Sequence, residues 1–342
     1  MNNKLNIAVI GSSGMAQGHM RGVVENPHAN LYAICDIHQY QIDKALEKYT
    51  PEKTTLVYKT LADDPNVDAV IIVTPDQTHL EIVEAFIKGG KHVLCEKPLA
   101  LSVDECKKMI EVERQHDKIF MVGQICRMTP AFKMAKGLVD EGWIGELFFV
   151  ESEYAHCYDE AKGVDNWRMT PERDGFIGGG CHAVDLLRWI AGNPTEVTAY
   201  ANHKCLTDWP SNDCTIAIFK FPNNVIGKVF TSTGCKRDYT MRTVLYGTKG
   251  TIICDNTSVT IKVYTDDGKL ANGKATYRYP REFPVEINNH NTVLEVKEFV
   301  DAIVNGKPSP VSSLEGAATV TVCRAAIDSA KEGRPIQIEY IK

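Results

Sequence analysis

The first third of the chain alternates short apolar runs with amphipathic stretches. The runs 5–10, 69–73 and 120–123 are almost wholly apolar, which is typical of strands buried on both faces. Stretches such as 15–25 and 78–88 lie between such runs and carry apolar residues at helical spacing. This alternation predicts an α/β fold in which helices cover both faces of a doubly wound parallel sheet.

The pattern changes after about residue 145. Strand-like stretches at 195–203, 214–221 and 225–232 are longer and alternate apolar with polar positions, and Pro222-Asn223-Asn224 is predicted to join the last two as a hairpin. The second part is therefore predicted to be an α/β domain with a large, mostly antiparallel open sheet.

Helices are predicted within this second part at 181–191, 293–305 and 314–331. A length of 342 residues suits two domains, and no repeat or low-complexity linker separates them. We predict a first domain at residues 1–124 and a second at 125–342.

Composition narrows the class of protein. Hydrophobic residues make up 44% and charged residues 24%, which excludes wholesale disorder. The net charge of −6 argues against a partner such as nucleic acid or an anionic membrane surface. No run of about 18 apolar residues exists, and Met1-Asn2-Asn3-Lys4 lacks the apolar core of a signal peptide. The 11 cysteines form no CxxC pair, so we expect reduced thiols in a cytoplasmic protein.

A glycine-containing turn joins the first strand to the first helix. The segment from Gly11 to Ala16 fits the dinucleotide fingerprint G-x-G-x-x-G/A at its ends, with Ser13 at the middle glycine and Gly14 one place later. The free N–H groups of the following helix suit a pyrophosphate. Asp36 ends the second strand, where a carboxylate accepts from an adenine ribose and repels a 2′-phosphate, so NAD is favoured over NADP. The alternative for Asp36 is an ordinary strand-end cap.

Further motifs give the chain a family resemblance. They are Val73-Thr74-Pro75-Asp76-Gln77-Thr78-His79, Glu96-Lys97-Pro98, Gly178-Gly179-Gly180-Cys181-His182-Ala183-Val184-Asp185 and Tyr246-Gly247-Thr248-Lys249-Gly250-Thr251. Together with the glycine turn they resemble the glucose-fructose oxidoreductase, inositol dehydrogenase and rhizopine-catabolism (Gfo/Idh/MocA) family across essentially the whole chain. The resemblance implies a Rossmann domain and a second domain whose sheet forms homodimers or homotetramers. It also implies hydride transfer between NAD(P) and a carbinol of a sugar, glycoside or cyclitol.

The resemblance and the chemistry of carbinol oxidation indicate the catalytic residues. Hydride loss from a carbinol carbon requires a base for the hydroxyl proton and a cation near the oxygen. Lys97 and His182 are the candidates, with Asp185 either orienting His182 or binding a substrate hydroxyl. Inositol dehydrogenases of the family have an aspartate four residues before this histidine, where the present chain has Gly178. This departure leaves the division of labour between Lys97 and His182 open.

The remaining candidates follow from the same motifs. The predicted cofactor-binding residues are Gly11, Ser12, Ser13, Gly14, Met15, Asp36, Thr74, Pro75, His79, Glu96, Lys97, Gln124, Trp167 and Arg168. The predicted substrate-binding residues are Lys97, Arg127, Tyr154, His156, Arg168, His182 and Asp185. Sheet packing is an equal alternative for Tyr154, and a surface ion pair for Arg168. Histidine spacing such as HxxxH is absent, so no metal site is predicted.

Three function classes stay open at this point. The first is a simple NAD-dependent dehydrogenase. The second is a redox-neutral enzyme that retains NAD and forms a transient or released 3-keto-glycoside for glycosidic cleavage. The third is a non-catalytic dinucleotide sensor, against which the presence of both Lys97 and His182 argues.

Overall fold

The computed structural model describes residues 4–266, 277 and 279–342, so the first three residues, which contribute to the expectation about a signal peptide, lie outside it. The chain forms two compact units. The first contains the residues up to 125 together with 291–320 and residue 341, and the second contains 126–290, 321–340 and residue 342. The assignment of residues 1–124 and 125–342 as functional domains stays a prediction. The packing of 291–320 within the first unit was not predicted.

The first unit is built on a six-stranded parallel sheet. Its elements up to residue 125 are β1 (Leu5–Ile10), α1 (Ala16–Glu25), β2 (Ala29–Cys35), α2 (Gln39–Leu46), β3 (Lys53–Thr55), α3 (Lys59–Ala62), β4 (Ala69–Ile72), α4 (His79–Lys88), β5 (His92–Glu96), α5 (Val103–Glu113) and β6 (Phe120–Gly123). The strand order is β3-β2-β1-β4-β5-β6, and every pairing is parallel. This is the doubly wound order in which ligands bind beyond the carboxyl ends of the strands. The predicted Rossmann sheet is confirmed.

The second unit carries a nine-stranded mixed sheet. The remaining elements of the chain are α6 (Pro130–Asp140), β7 (Leu147–Ala155), α7 (Gly175–Gly178), α8 (Cys181–Ala191), β8 (Glu196–Asn202), β9 (Cys214–Lys220), β10 (Ile226–Ser232), β11 (Thr240–Gly247), β12 (Gly250–Asp255), β13 (Thr260–Thr265), β14 (Arg281–Pro284), α9 (Thr292–Val304), α10 (Ser313–Glu332) and β15 (Ile336–Gln337). The order is β14-β13-β12-β11-β7-β10-β9-β8-β15. Among the described strands of this second sheet, only the pairing of β7 with β10 is parallel, so the prediction of a mostly antiparallel sheet is confirmed.

The two faces of this sheet differ. Helix α8 packs against β7 and β10, where Val150, Ser152 and Val229 are buried. Side chains that alternate with the buried ones leave the opposite face of β8 and β9 open to solvent, where Tyr200 pairs with Ile216 across the strands. Tyr200 is 73% exposed and Ile218 is 52% exposed, so large hydrophobic side chains face solvent here.

Two glycines of α1 explain why α9 packs within the first unit. A Cβ on Gly18 would lie 2.5 Å from the Thr292 hydroxyl, and one on Gly22 would lie 3.0 Å from Val296. These glycines are four residues apart and share one face of α1, so the two helices approach closely. His19 of α1 and Glu295 of α9 are buried in the same part of the first unit.

Two further observations concern the whole described chain. All eleven cysteines lie in the described residues, and none forms a disulfide. Among the described residues, no helix combines the length and apolar character needed to cross a bilayer.

Candidate active site

The glycine turn of the first unit adopts a conformation that requires glycine. Gly11 has φ +86°, and a Cβ there would lie 2.5 Å from the carbonyl oxygen of Val73 at the end of β4. Gly14 has φ +51° and open space around it. Ser13 and Met15 complete the turn, and their carbonyl oxygens accept from the first N–H groups of α1. The turn thus brings the backbone and a helix N-terminus to the sheet edge where a pyrophosphate would bind.

Asp36 holds this turn in place. The backbone N–H and the hydroxyl of Ser12 both donate to Oδ2 of Asp36, at 2.8 and 3.0 Å. The N–H of His38 donates to Oδ1 at 3.0 Å. Asp36 therefore acts as a strand-end cap, as the alternative interpretation held. Oδ2 already accepts two hydrogen bonds, but Oδ1 accepts only one, so its second lone pair can accept from a ribose hydroxyl.

His79 contacts the backbone of two turns at the carboxyl edge of the sheet. Its Nε2 lies 3.1 Å from the carbonyl oxygen of Thr74, which precedes Pro75, and its Nδ1 lies 3.1 Å from that of Pro98. The side chain is completely buried. The peptide bond between Lys97 and Pro98 is cis. His79 therefore fixes the position of the turn that carries Lys97.

Gln124 follows β6, the strand beside β5. It is 1% exposed, and neither its Oε1 nor its Nε2 has a hydrogen-bond partner. A buried amide with two unsatisfied atoms costs free energy unless a ligand completes its hydrogen bonds. Since Glu96 pairs with Gly123 across these strands, Lys97 and Gln124 follow adjacent strand ends. The residues at this edge therefore fit a nicotinamide dinucleotide, which would supply amide, hydroxyl and phosphate groups.

Three ionisable side chains are buried together beside the Lys97 turn. His19 Nε2 lies 2.9 Å from Oε1 of Glu96 and 3.9 Å from Oε2 of Glu295. Burial, and then the neighbouring Glu96 carboxylate, raises the pKa of Glu295 well above its ordinary value. Burial works against the charged form of Glu96, but the His19 contact and Lys97 leave the pKa of Glu96 below its usual value. We infer a charged Glu96 beside a protonated Glu295.

In the second unit, three glycines precede His182 at the start of α8. A Cβ on Gly178 would lie 2.3 Å from the guanidinium of Arg173, and one on Gly179 would lie 2.4 Å from the ring of Tyr154. The glycines therefore relieve crowding within this unit. The position at which inositol dehydrogenases of the family are expected to have an aspartate is packed against the Arg173 guanidinium.

His182 is buried and contacts a thiol. Its Nδ1 lies 3.3 Å from Sγ of Cys126, and its ring stacks on those of Tyr154 and His290. The hydroxyl of Tyr239 lies 3.3 Å from Nε2 of His290. The second unit thus gathers a second imidazole, a thiol and two phenols around the predicted base.

The predicted substrate residues Tyr154 and His156 belong to this aromatic cluster. The Tyr154 hydroxyl lies 2.8 Å from that of Tyr158 and 3.2 Å from Nδ1 of His156. Burial, followed by the neighbouring phenols of Tyr158 and Tyr239, raises the pKa of Tyr154 well above its ordinary value. Tyr154 therefore stays a neutral hydrogen-bonding group. Because it is also packed in the sheet, its surroundings are compatible with both substrate binding and sheet packing.

Asp185 lies one turn beyond His182 and forms a buried ion pair. Nε and Nη2 of Arg127 donate to its two carboxylate oxygens, each at 2.7 Å. Nη1 of Arg188 lies 3.7 Å from the same carboxylate. Arg127 and Asp185 are thus partners of one another, which the sequence did not indicate.

Trp167 and Arg168 lie in the segment that precedes α7. The guanidinium groups of Arg168 and Arg173 both lie over the Trp167 ring, at 5.0 and 4.7 Å from its centre. Arg168 donates to the carbonyl oxygen of Ala161 at 2.9 Å, while its buried Nε has no hydrogen-bond partner. Arg168 is therefore not a surface ion pair, and its unsatisfied Nε suits a ligand oxygen.

Several residues of the site were not predicted from the sequence. His19, Cys126, Tyr158, His290 and Glu295 lie in the two clusters, but none belongs to a recognised motif. Their sequence separations are large, such as 56 residues between Cys126 and His182.

Two family models match consecutive parts of the chain. Residues 5–124 match the oxidoreductase family with an NAD-binding Rossmann fold, and residues 132–253 match the GFO/IDH/MocA C-terminal domain. The chain is 29% identical to the myo-inositol 2-dehydrogenase of Thermotoga maritima, over 98% of this chain and 99% of that one. It is 27% identical to the inositol 2-dehydrogenase of Rhizobium meliloti, over 96% and 98% of the two chains.

A solved structure extends the likeness to the fold. Levoglucosan dehydrogenase in complex with NADH and L-sorbose superposes with a TM-score of 0.90 at 21% identity, covering 98% of this chain and 99% of that one. With both domain types matched in order, the chain belongs to the Gfo/Idh/MocA family of oxidoreductases with an NAD-binding Rossmann fold.

Proposed function

We propose that this protein is an NAD-dependent dehydrogenase that oxidises a ring carbinol of a cyclitol or sugar. The observation that carries the proposal is the pair of adjacent strand ends that present Lys97 and the unsatisfied amide of Gln124. The names of the relatives, which include two inositol 2-dehydrogenases, support the substrate class. Asp36, placed after β2, supports NAD over NADP.

The predicted catalytic residues divide the chemistry. Bound NAD supplies the hydride acceptor, so the protein must provide for the hydroxyl proton and for charge on the oxygen. The ammonium of Lys97 stabilises the developing alkoxide. The imidazole of His182 accepts the proton. We assign the tautomer in which Nδ1–H faces the Cys126 sulfur, because Nε2 is then the nitrogen that accepts.

Asp185 is proposed to position His182. Its bidentate pair with Arg127 fixes the first two turns of α8, and His182 lies in the first of these. A fixed helix keeps the imidazole oriented toward the reacting hydroxyl, since small displacements of a base cost much of its effect. Gly178 offers no carboxylate, so orientation of His182 rests on this ion pair and on Cys126.

Substrate hydroxyls are proposed to bind the polar groups of the second unit. Tyr154 and His156 offer a phenol and an imidazole, and Arg168 offers a buried Nε without a partner. Arg127 is proposed to support this site through its ion pair with Asp185, which fixes α8. A polyol suits such a set, because each hydroxyl both donates and accepts.

The open face of the second-unit sheet supports a homodimer or homotetramer. Tyr200, Ile216 and Ile218 lie there on adjacent strands, and Ile218 is 52% exposed. Pairing this face with a second copy would remove the apolar area from water. The cytoplasm is the proposed location, because eleven free cysteines suit a reducing compartment.

An activity survey tests the proposal. The purified protein is incubated with NAD and a panel of inositols, aldoses and glycosides, and product is detected by chromatography together with NADH absorbance. Oxidised product from an inositol or a sugar is expected. Tight NAD binding without product from any panel member would instead favour the dinucleotide sensor.

A further inference from the structure

The side chains of Cys126, His182 and His290 form a cluster that the catalytic proposal uses only in part. One ligand atom of each residue lies within 4.8 Å of those of the other two. Cys126 and His182 are buried, and His290 is half-buried. The proposed reaction uses the imidazole of His182 and the Cys126 sulfur that contacts it, but it gives no role to the second imidazole, that of His290.

Cys126, His182 and His290 form a donor set of one sulfur and two nitrogens. Thiolate and imidazole are preferred by Zn²⁺, whereas Mg²⁺ and Ca²⁺ prefer oxygen. The zinc sites of enzymes commonly have three such protein ligands and an open fourth position. Among the residues that the structure describes, no carboxylate belongs to this cluster, so its donor set favours Zn²⁺ over Mg²⁺ and Ca²⁺.

The distances in the cluster are close to those of a zinc site. Zinc–sulfur and zinc–nitrogen bonds of about 2.3 and 2.0 Å at tetrahedral angles place the two donors about 3.5 Å apart. Sγ of Cys126 and Nδ1 of His182 are 3.3 Å apart. The rings of His182 and His290 have centres 5.7 Å apart, and a ligand nitrogen of each lies within 4.8 Å of the other and of Sγ of Cys126.

Contacts around the cluster hold it in place. The hydroxyl of Thr129, beside the start of α6, donates to the carbonyl oxygen of Asn289 at 2.7 Å, which fixes the backbone next to His290. The phenol of Tyr239 lies 3.3 Å from Nε2 of His290. Such hydrogen bonds from outside the donor set orient imidazole ligands in metal sites.

We propose that Cys126, His182 and His290 bind a single Zn²⁺ ion, with the fourth position open to water or substrate oxygen. The spacing of histidines along the sequence predicts no metal site, because these ligands come from three distant segments. Coordination occupies Nδ1 of His182 and places a cation beside the ring. If the proposed role of His182 is right, Zn²⁺ therefore inhibits proton acceptance and with it NADH formation.

Metal titration of the full chain tests the site without reference to activity. Chelator-treated protein is titrated with ZnCl₂ in a calorimeter and with CoCl₂ in a spectrophotometer, where a thiolate-to-cobalt charge-transfer band reports the Cys126 bond. We expect one ion per chain. Cys126→Ser should abolish the band, and both Cys126→Ser and His290→Asn should weaken Zn²⁺ binding by at least about 10–100-fold. Cys205→Ser removes an exposed thiol elsewhere and should change neither signal.

The outcomes separate the metal site from the catalytic proposal. A missing charge-transfer band, or equal Zn²⁺ affinity in wild type and in both cluster variants, would overturn the metal site. Inhibition of NADH formation by Zn²⁺ that chelator reverses is expected for wild type. Binding of Zn²⁺ with unchanged turnover would support the metal site and contradict the role given to His182.

Discussion

The guanidinium of Arg127 and the carboxylate of Asp185 form two parallel hydrogen bonds of 2.7 Å in the interior of the second unit. Both side chains are less than 10% exposed. The pair joins the segment before α6 to the second turn of α8, and the guanidinium also lies 5.7 Å from the centre of the Trp189 ring. A charged pair at this depth is satisfied only while both partners are present.

Removal of Asp185 should therefore destabilise the protein strongly. Asp185→Ala leaves the cations of Arg127 and Arg188 buried without this carboxylate, and breaking such a pair costs about 3–5 kcal/mol. Urea unfolding measures the loss. The double variant Asp185→Ala with Arg127→Met should recover part of it, since it removes one of the stranded charges. A loss under about 1 kcal/mol in Asp185→Ala would show that the pair does not anchor α8.

Asp36 should set the preference between NAD and NADP. Asp36→Ala removes an acceptor for the ribose and the repulsion of a 2′-phosphate. A hydrogen bond to a charged group is worth about 1.5–3 kcal/mol, so the affinity for NAD should fall roughly 10- to 100-fold while that for NADP rises. Fluorescence titration with both nucleotides measures the ratio. Ser12→Ala, which deletes the hydroxyl bond to Asp36 but keeps the carboxylate, is the matched control and should retain the preference.

Lys97 and His182 should be needed for turnover but not for cofactor binding. Lys97→Ala and His182→Ala each remove a group that acts on the carbinol oxygen or its proton, and such groups contribute about 10²- to 10⁴-fold. Steady-state rates with the active substrate and separate NAD titrations measure the two effects. Lys133→Ala changes an exposed lysine and should leave both unchanged. Near wild-type rates in either active-site variant would remove that residue from the mechanism.

Glu295 should make folding less favourable as the pH rises. Its folded pKa lies above the ordinary 4.5, so between these values the native state binds more protons than the unfolded chain. The contribution of Glu295 to the free energy of unfolding is therefore fully present below pH 4.5. It is lost progressively as the pH rises toward the folded pKa. Glu96, whose pKa is lowered, contributes in the opposite sense and loses its contribution as the pH falls.

Glu295→Gln isolates this contribution. The amide keeps the shape of the protonated carboxyl group but cannot lose a proton. Urea unfolding at a series of pH values from 4.5 upward should show a smaller decrease in stability for Glu295→Gln than for wild type. The exposed Glu111→Gln variant should follow wild type. Parallel curves for wild type and Glu295→Gln would mean that Glu295 is already ionised in the folded protein.

Elements with strong local patterns were predicted well. The predicted bounds of β1, β6 and α8 agree with the structure, because each is a continuous apolar run or an amphipathic stretch between clear boundaries. A capping box of Ser102 and Glu105 marks the start of α5 in the same local way. The strand β3 was missed because its three residues, Lys53-Thr54-Thr55, are polar and partly exposed. The helix α6 was missed although its buried residues recur at helical spacing.

The site likewise contains residues that local motifs predicted and partners that they did not. Motif residues such as Gly11, Asp36 and Lys97 were predicted because each follows a strand whose carboxyl end faces the ligand edge. The partners that define their environment were not, since the contact of His19 with Glu96 joins residues 77 positions apart. The pairing of Arg127 with Asp185 likewise depends on helix packing that no local pattern encodes.

The stoichiometry of NADH to oxidised product tests the central claim most directly. The protein is incubated with excess NAD and the substrate found in the survey, and both products are quantified in the same sample. A dehydrogenase that releases its cofactor yields one NADH for each ketone or lactone formed, and His182→Ala yields neither. Oxidised or cleaved product that accumulates without NADH would contradict the account and establish the redox-neutral reaction instead.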